Sequence, residues 1–224
     1  TGRSNLRREE VVAHNEKMLA AKARLLERFK KRAPRQADPN QDRLPPGQNI
    51  TNGFPVLDLG VKPKFDPTTW RFKVEGEVEE PLDLSWPEFQ ALPHAKQITD
   101  FHCVTTWSKF DVDWDGVKFV DIAALALPTE AARYVIAYGF DDYTTNIPLA
   151  DCLDDDVILA DRLDGQPLPL QHGGPMRLVV PSLYAWKSAK FLHKLVFVAA
   201  DELGFWEERG YHDRGDPWQE QRYR

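Results

Sequence analysis

The chain has 224 residues, of which 42% are hydrophobic, and a formal net charge of −6. This size and hydrophobic content suffice for one large domain with an appendage. The negative charge argues against broad, nonspecific binding of nucleic acid, and no run of about 18 apolar residues is present to span a bilayer.

The first predicted element is a helix over residues 6–32. Apolar residues recur at seven-residue steps from Val11 to Leu25, and basic residues in the last turn complement the helix dipole. This helix either lies across the domain or associates with a second copy, which would make the protein a homodimer. Residues 33–48 contain four prolines and many polar residues, which predicts a linker. The main domain is then expected over residues 49–224.

The start of the chain also bears on its compartment. Residues 1–10 are charged and lack the apolar core of a signal peptide. We therefore expect a cytoplasmic protein, unless an export signal for the periplasm was trimmed from this sequence.

The main domain is predicted to contain many short strands and a few short helices. Ser85 and Glu88 have the spacing of a capping box that opens a helix, and Asp121 is expected to cap a helix that ends at Leu127. Asp-Gly pairs at residues 115–116 and 164–165 predict turns, the first of them a hairpin. These elements indicate an α+β fold, with strands at residues 70–78, 97–104, 134–138, 157–160, 176–180 and 195–198.

Cys103 is one of only two cysteines, and it follows the strand predicted at residues 97–104 in the sequence DFHCVTTWS. It could be a buried structural thiol, a ligand of a soft metal, or a partner of Cys152 in a disulfide. Cys103 alone does not decide among these alternatives.

Two later segments suggest an anionic ligand. His172 and Arg177 flank a Gly-Gly pair, where backbone can approach a ligand closely and an Arg fork can bind phosphate. Residues 184–191 interleave two lysines and a serine with aromatic residues. Each segment could also be an ordinary turn or strand. The polar loop at residues 139–146 and the turn at 49–58 likewise either line a ligand or simply connect strands.

Six motifs follow one another along the chain: LPPGQ at 44–48, FPVL at 54–57, HCVT at 102–105, YTTN at 143–146, HGGPMR at 172–177 and WKSAK at 186–190. In this order they resemble the sulfite oxidase-like molybdopterin-dependent oxidoreductases, a small bacterial family related to the catalytic subunit of the periplasmic methionine sulfoxide reductase. The resemblance extends from Arg43 to the C-terminus. It implies the sulfite-oxidase fold of mixed sheets with short helices, following an N-terminal helix.

The resemblance implies one molybdopterin carrying a molybdenum atom, and no haem in this chain. Cys103 matches the protein thiolate that ligates the metal. His172 and Arg177 match residues that hold the pterin phosphate, and the positions that wrap or line the cofactor and the pocket are Phe54, Tyr143, Thr144, Lys187, Ser188 and Lys190. Cys103 and Tyr143 are therefore the candidate catalytic residues.

The implied reaction is oxygen-atom transfer to or from a small-molecule substrate, with two electrons exchanged with a separate carrier. Thr106 departs from the pattern, because animal and plant sulfite oxidases have a basic residue three positions after the cysteine. Asp58 stands where a histidine is expected, so no cofactor role is assigned to it. Two alternatives stay open: a nucleophilic Cys103 assisted by His102 or His172, and a non-catalytic module that binds an anionic cofactor.

Overall fold

The computed structural model describes residues 20, 23–25, 27 and 43–224. The helix predicted over residues 6–32 lies largely outside the described residues, but its described positions are helical. Leu25 is only 6% exposed and belongs to the main hydrophobic core, so this part of the helix packs on the domain. Self-association through the helix stays a prediction. Within the described residues, no helix is both long enough and apolar enough to cross a membrane.

From residue 43 onward the chain forms eleven strands and three short α-helices. The same part of the chain contains three 3-10 helices, at Leu170–His172, Ala185–Lys187 and Glu207–Arg209. The other elements, in chain order, are β1 (Asn49–Ile50), β2 (Arg71–Gly76), β3 (Leu82–Ser85), α1 (Trp86–Gln90), β4 (Ala95–His102), β5 (Trp107–Lys118), α2 (Phe119–Ala126), β6 (Tyr134–Gly139), β7 (Thr144–Pro148), α3 (Leu149–Cys152), β8 (Ile158–Leu163), β9 (Gln166–Pro167), β10 (Arg177–Val179) and β11 (Leu192–Val198).

The strands form two mixed sheets, which confirms the α+β prediction. In the first sheet the order is β1-β5-β8-β10, with β4 paired to β5 and β9 paired to β8. In the second the order is β3-β2-β11-β6-β7. Only the β1–β5 and β2–β11 pairs are parallel.

The first sheet lies between two hydrophobic cores. On β8, Leu159 faces the main core, which also contains α2 and the inner face of the second sheet. Ile158 and Ala160 face a second core, built around Trp114 and Phe101. Because side chains alternate across a strand, the first half of β8, residues 158–160, is buried and apolar on both faces.

Two of the four local predictions that rest on capping and turn chemistry are confirmed. Ser85 caps α1, and Glu88 completes the capping box by accepting a hydrogen bond from the Ser85 backbone. Asp164 and Gly165 both have positive φ and join β8 to β9. Asp121, however, lies in the first turn of α2, whose N-cap position is Lys118.

The hairpin predicted at Asp115–Gly116 was wrong. Both residues lie within β5, and the pairing of β5 with β8 shifts register between them. A Cβ on Gly116 would come within 2.1 Å of the Leu159 carbonyl oxygen, so the glycine permits close contact between strands. The turn that connects β4 to β5 lies instead at residues 103–106, between the end of β4 and the start of β5.

Candidate active site

A cavity of about 390 Å³ opens beside the turn that follows β4. Five separate parts of the chain contribute to its wall, including the end of the first 3-10 helix and the residues on either side of the third. The lining side chains come from residues 54–59, 101–107, 141–143, 172–190 and 206–211.

Cys103 lines this cavity from a tight turn between β4 and β5. The Thr106 backbone N–H donates to the Cys103 carbonyl at 3.0 Å, and the Cys103 N–H donates to the Trp107 carbonyl at 2.9 Å. Thr106 has a φ of 74°, a left-handed conformation that β-branched residues rarely adopt. Such backbone strain is typical of functional sites. The turn therefore holds the thiol at a fixed place on the wall.

Two residues distant in sequence hold the turn from outside the cavity. The Gln48 side-chain amide donates to the Cys103 carbonyl at 3.0 Å. Arg222 donates from Nη1 to the Val104 carbonyl at 2.6 Å. Residues 43–48, predicted as the end of a linker, thus pack on the domain, where Arg43 also pairs with Asp100.

The environment of Cys103 is unsuited to a nucleophile. Burial raises the pKa of the Cys103 thiol, and the hydrogen bond with Thr105, at 3.2 Å between Sγ and Oγ1, only opposes that effect. A nucleophilic cysteine needs a lowered pKa or an adjacent base. The ring of His102 contacts the Ser108 hydroxyl instead, and burial lowers its pKa to about 4. Both cysteines are free thiols, so no disulfide joins Cys103 to Cys152.

A second part of the wall is cationic and centred on Arg177. This guanidinium is buried and donates to the carbonyls of His172 and Ser188 at 2.8 and 2.9 Å. Among the described residues it pairs with no carboxylate. Burial lowers the pKa of Arg177 to about 9, which is still above neutral pH. A buried charge without a counterion is costly, so this wall suits an anion.

Lys190 extends the cationic wall, and the His172 ring contributes a polar group; burial and the Arg177 charge lower the pKa of His172, so this ring is uncharged near neutral pH. The Lys190 ammonium donates to the Gln171 carbonyl at 2.8 Å and lies 3.9 Å from an Asp58 carboxylate oxygen. Burial lowers the pKa of Lys190 to about 8, and the nearby Arg177 charge acts in the same direction. Gly173 has a φ of 107°, and a Cβ there would lie 2.9 Å from the Lys190 side chain. The glycine therefore makes room for Lys190 beside His172.

Most of the remaining predicted residues line the cavity, whereas Thr144 and Lys187 do not. Phe54 stacks on the His172 ring at 4.5 Å between centroids and lines the cavity. Ser188 also lines it, while its hydroxyl accepts from the Val180 N–H. Tyr143 lines the cavity, but its hydroxyl donates to the Trp186 carbonyl at 2.5 Å. Thr144 begins β7 and does not reach the cavity wall.

The Lys187 side chain also lies away from the cavity. Its fully buried ammonium contacts Glu207 Oε1 at 2.5 Å and donates to Asn146 and the Asp213 carbonyl. Burial lowers the pKa of Lys187, and the Glu207 carboxylate opposes this effect. Because its donors are used within the protein, the expected contact between this ammonium and the cofactor does not fit the structure.

Several further lining residues were not assigned individual roles from the sequence, although Asp58 and Asp141 lie in segments 49–58 and 139–146, for which ligand lining was one of two alternatives. Trp107, Trp206 and Tyr211 give the wall around Cys103 its aromatic character, and Asp58 and Asp141 contribute carboxylates. The Trp107 indole N–H has no hydrogen-bond partner among the described residues although it is buried. Trp206 and Tyr211 belong to a C-terminal segment rich in aromatic residues. That composition is the feature of the sequence that could have indicated a role in lining the cavity.

Comparisons with known proteins agree with this geometry. Residues 59–206 match the family described as "Oxidoreductase molybdopterin binding domain". The chain belongs to this molybdopterin-binding oxidoreductase family. The family match establishes an enzyme of the molybdopterin oxidoreductase type and implies a molybdenum cofactor.

Two relatives agree with this family membership, and one solved structure shares the fold. It is 46% identical to the "Uncharacterized oxidoreductase YuiH" of Bacillus subtilis over 84% of this chain and 96% of that protein. It is 33% identical to the "Putative protein-methionine-sulfoxide reductase subunit YedZ1" of Azospira oryzae, over 78% of this chain and 68% of that protein. The sulfane dehydrogenase SoxCD of Paracoccus pantotrophus shares the fold at 20% identity and a TM-score of 0.56, covering 62% of this chain and 40% of that one.

Proposed function

We propose that the protein is a molybdenum–molybdopterin enzyme that reduces a neutral sulfoxide to a thioether by oxygen-atom transfer. One observation carries this proposal: a buried thiol and a cationic wall, in which Arg177 has no carboxylate partner among the described residues, open into the same cavity. A thiolate suits a soft redox metal, and an Arg–Lys wall suits a phosphate. The residues present therefore fit the cofactor that the family binds.

Each part of the wall would have a distinct task. Cys103 would ligate the metal, and Arg177, Lys190 and His172 would bind the cofactor phosphate. When bound, the cofactor supplies two-electron redox chemistry at the metal. Phe54, Tyr143 and Ser188 would enclose the pterin, and the Tyr143 hydroxyl would keep its position through the Trp186 carbonyl.

The wall around Cys103 favours a neutral substrate over an oxyanion. Trp206 and Tyr211 face the cavity there, and Thr105 is the polar neighbour of the thiol. Arg222 approaches this turn but donates to a backbone carbonyl rather than lining the cavity. Among the described residues, the charged group that acts on Cys103 is Arg222, which does not line the cavity, so sulfite would lack a charged lining partner there. Sulfur groups, in contrast, contact aromatic rings favourably. The name of the Azospira oryzae relative agrees with a methionine sulfoxide substrate.

The substrate proposal predicts a preference that can be measured directly. Molybdenum-loaded protein should reduce methionine sulfoxide, with reduced benzyl viologen as donor, at a higher kcat/KM than it oxidises sulfite with ferricyanide as acceptor. The physical reason is the uncharged, aromatic wall beside the thiol. Trp206→Leu should lower kcat/KM for the sulfoxide without changing the molybdenum content. Faster oxidation of sulfite than reduction of the sulfoxide would contradict the proposal.

The cationic wall predicts a pH dependence of anion binding. The pKa of Lys190 lies at about 8 in the cofactor-free protein, so the ammonium is charged below that pH and becomes neutral above it. Inorganic phosphate should therefore bind cofactor-free protein several-fold more weakly at pH 9 than at pH 7, as measured by calorimetry. Lys190→Met should remove most of this dependence. Lys194→Met, on β11 beside Tyr138, is the control and should retain it.

A further inference from the structure

The segment at residues 222–224 connects the Cys103 turn to the protein surface. Besides the hydrogen bond from Arg222 to the Val104 carbonyl, the segment pairs with residues 210–212. The Arg224 N–H donates to the Gly210 carbonyl at 3.0 Å, and the His212 N–H donates to the Arg222 carbonyl at 3.2 Å. These backbone bonds flank an antiparallel bridge between Tyr211 and Tyr223. The position of the Tyr223 ring is therefore set by backbone pairing.

Aromatic rings run from the cavity to solvent along this pairing. Tyr211 lines the cavity, and its ring lies 5.2 Å from that of Trp186, another lining residue. On its other side it lies 5.1 Å from the Tyr223 ring, with an interplanar angle of 76°. Tyr223 is 62% exposed. Two rings in contact thus span the distance between the cavity and the solvent.

We propose that the exposed Tyr223 ring is the place where a one-electron carrier protein docks and passes electrons towards the site through Tyr211. This inference rests on the proposed function. Each carrier molecule would give up one electron and become oxidised. Two such transfers, with two protons, convert one sulfoxide to one thioether and one water. The tyrosine rings are not oxidised themselves; their contact shortens the through-space gap between carrier and site.

The surroundings of Tyr223 suit a protein partner. Arg224 and Arg209 have side chains 43% and 49% exposed, and Arg209 stacks on the Phe205 ring at 3.7 Å. Tyrosine and arginine are enriched at protein interfaces. Both arginines are also paired with carboxylates, Arg224 with Asp213 and Arg209 with Glu208. The exposed tyrosine, fixed by backbone pairing, presents a contact surface with little side-chain entropy to lose.

Photoinduced electron injection tests the route without requiring the natural carrier. A ruthenium–bipyridine label would be attached to the thiol of Arg224→Cys in molybdenum-loaded protein; both native thiols are buried. The readout is the rate at which the EPR signal of the singly reduced metal appears after a laser flash. Adding Tyr223→Leu should slow this rate several-fold, whereas Tyr223→Phe should keep it, because the ring rather than the hydroxyl makes the contact.

A second label position controls for structural effects of the leucine variant. With the label on Ile98→Cys, an exposed position on β4, Tyr223→Leu should leave the injection rate unchanged. Equal rates for Tyr223→Leu and the parent at the Arg224→Cys position would overturn the inference alone. An equal loss in Tyr223→Phe would also overturn it. Protein made in a host with pterin synthesis yet lacking molybdenum would overturn the proposed function and this inference together.

Discussion

Cys103→Ser should abolish turnover and the molybdenum–thiolate spectrum while the protein stays folded. The hydroxyl of serine is a hard, weakly acidic ligand and cannot replace a thiolate on a soft metal. We expect activity to fall by about 100-fold or more, since even groups that only support metal ligands change affinity or activity by about 10–100-fold. The measurements are sulfoxide reduction, molybdenum content and absorption of the loaded enzyme.

Cys152→Ala provides the matched control. Cys152 is the other buried thiol, but it lies in the main core at the end of α3, away from the cavity wall. Its loss should cost some stability and leave the thiolate spectrum intact. A non-catalytic binding module would keep its role in Cys103→Ser. An enzyme whose spectrum survives in Cys103→Ser would show that another group ligates the metal.

Glu207→Gln should lower the free energy of unfolding by about 3–5 kcal/mol, because it leaves a buried ammonium without its counterion. Glu207 and Lys187 have side chains that are both fully buried. The same carboxylate oxygen also accepts from Trp186 Nε1 at 2.8 Å and Thr145 Oγ1 at 3.1 Å. Glu207 thus joins the third 3-10 helix to β7 and to the Trp186 segment. Urea denaturation would measure the loss.

An exposed ion pair sets the scale for this prediction. Asp83→Asn breaks the pair between Arg71 and Asp83, whose side chains are 45% and 52% exposed, and should cost at most about 1 kcal/mol. The double variant Lys187→Gln with Glu207→Gln should recover part of the loss, because no unpaired charge is left buried. A loss below about 1 kcal/mol in Glu207→Gln would show that the buried pair is not a major source of stability.

The predictions that succeeded from sequence depend on local chemistry. The Ser85–Glu88 capping box and the Asp164–Gly165 turn involve residues close in sequence, so their spacing is sufficient. The Asp115–Gly116 pair has the same sequence as a hairpin turn, but its conformation is decided by the pairing of β5 with β8. The glycine lets β5 approach the Leu159 carbonyl, a contact that no local pattern reveals.

The candidate site also contains some residues that the sequence predicts and others whose positions depend on long-range contacts. Cys103, His172, Arg177 and Lys190 lie in ordered motifs, and the structure brings all four to one cavity. Lys187 belongs to the same kind of motif as Lys190, yet its direction is decided by Glu207, twenty residues further on. The two lysines cannot be told apart without the fold, because both stand in the same short aromatic stretch.

The two long-range hydrogen bonds on the Cys103 turn have a consequence for how the enzyme matures. Gln48 precedes the thiol by 55 residues, and Arg222 follows Val104 by 118. During synthesis the turn lacks its second support until residue 222 has emerged from the ribosome. The thiol therefore reaches its final position late, after the sheets can form. Loading of the cofactor is accordingly expected to follow the emergence of residue 222.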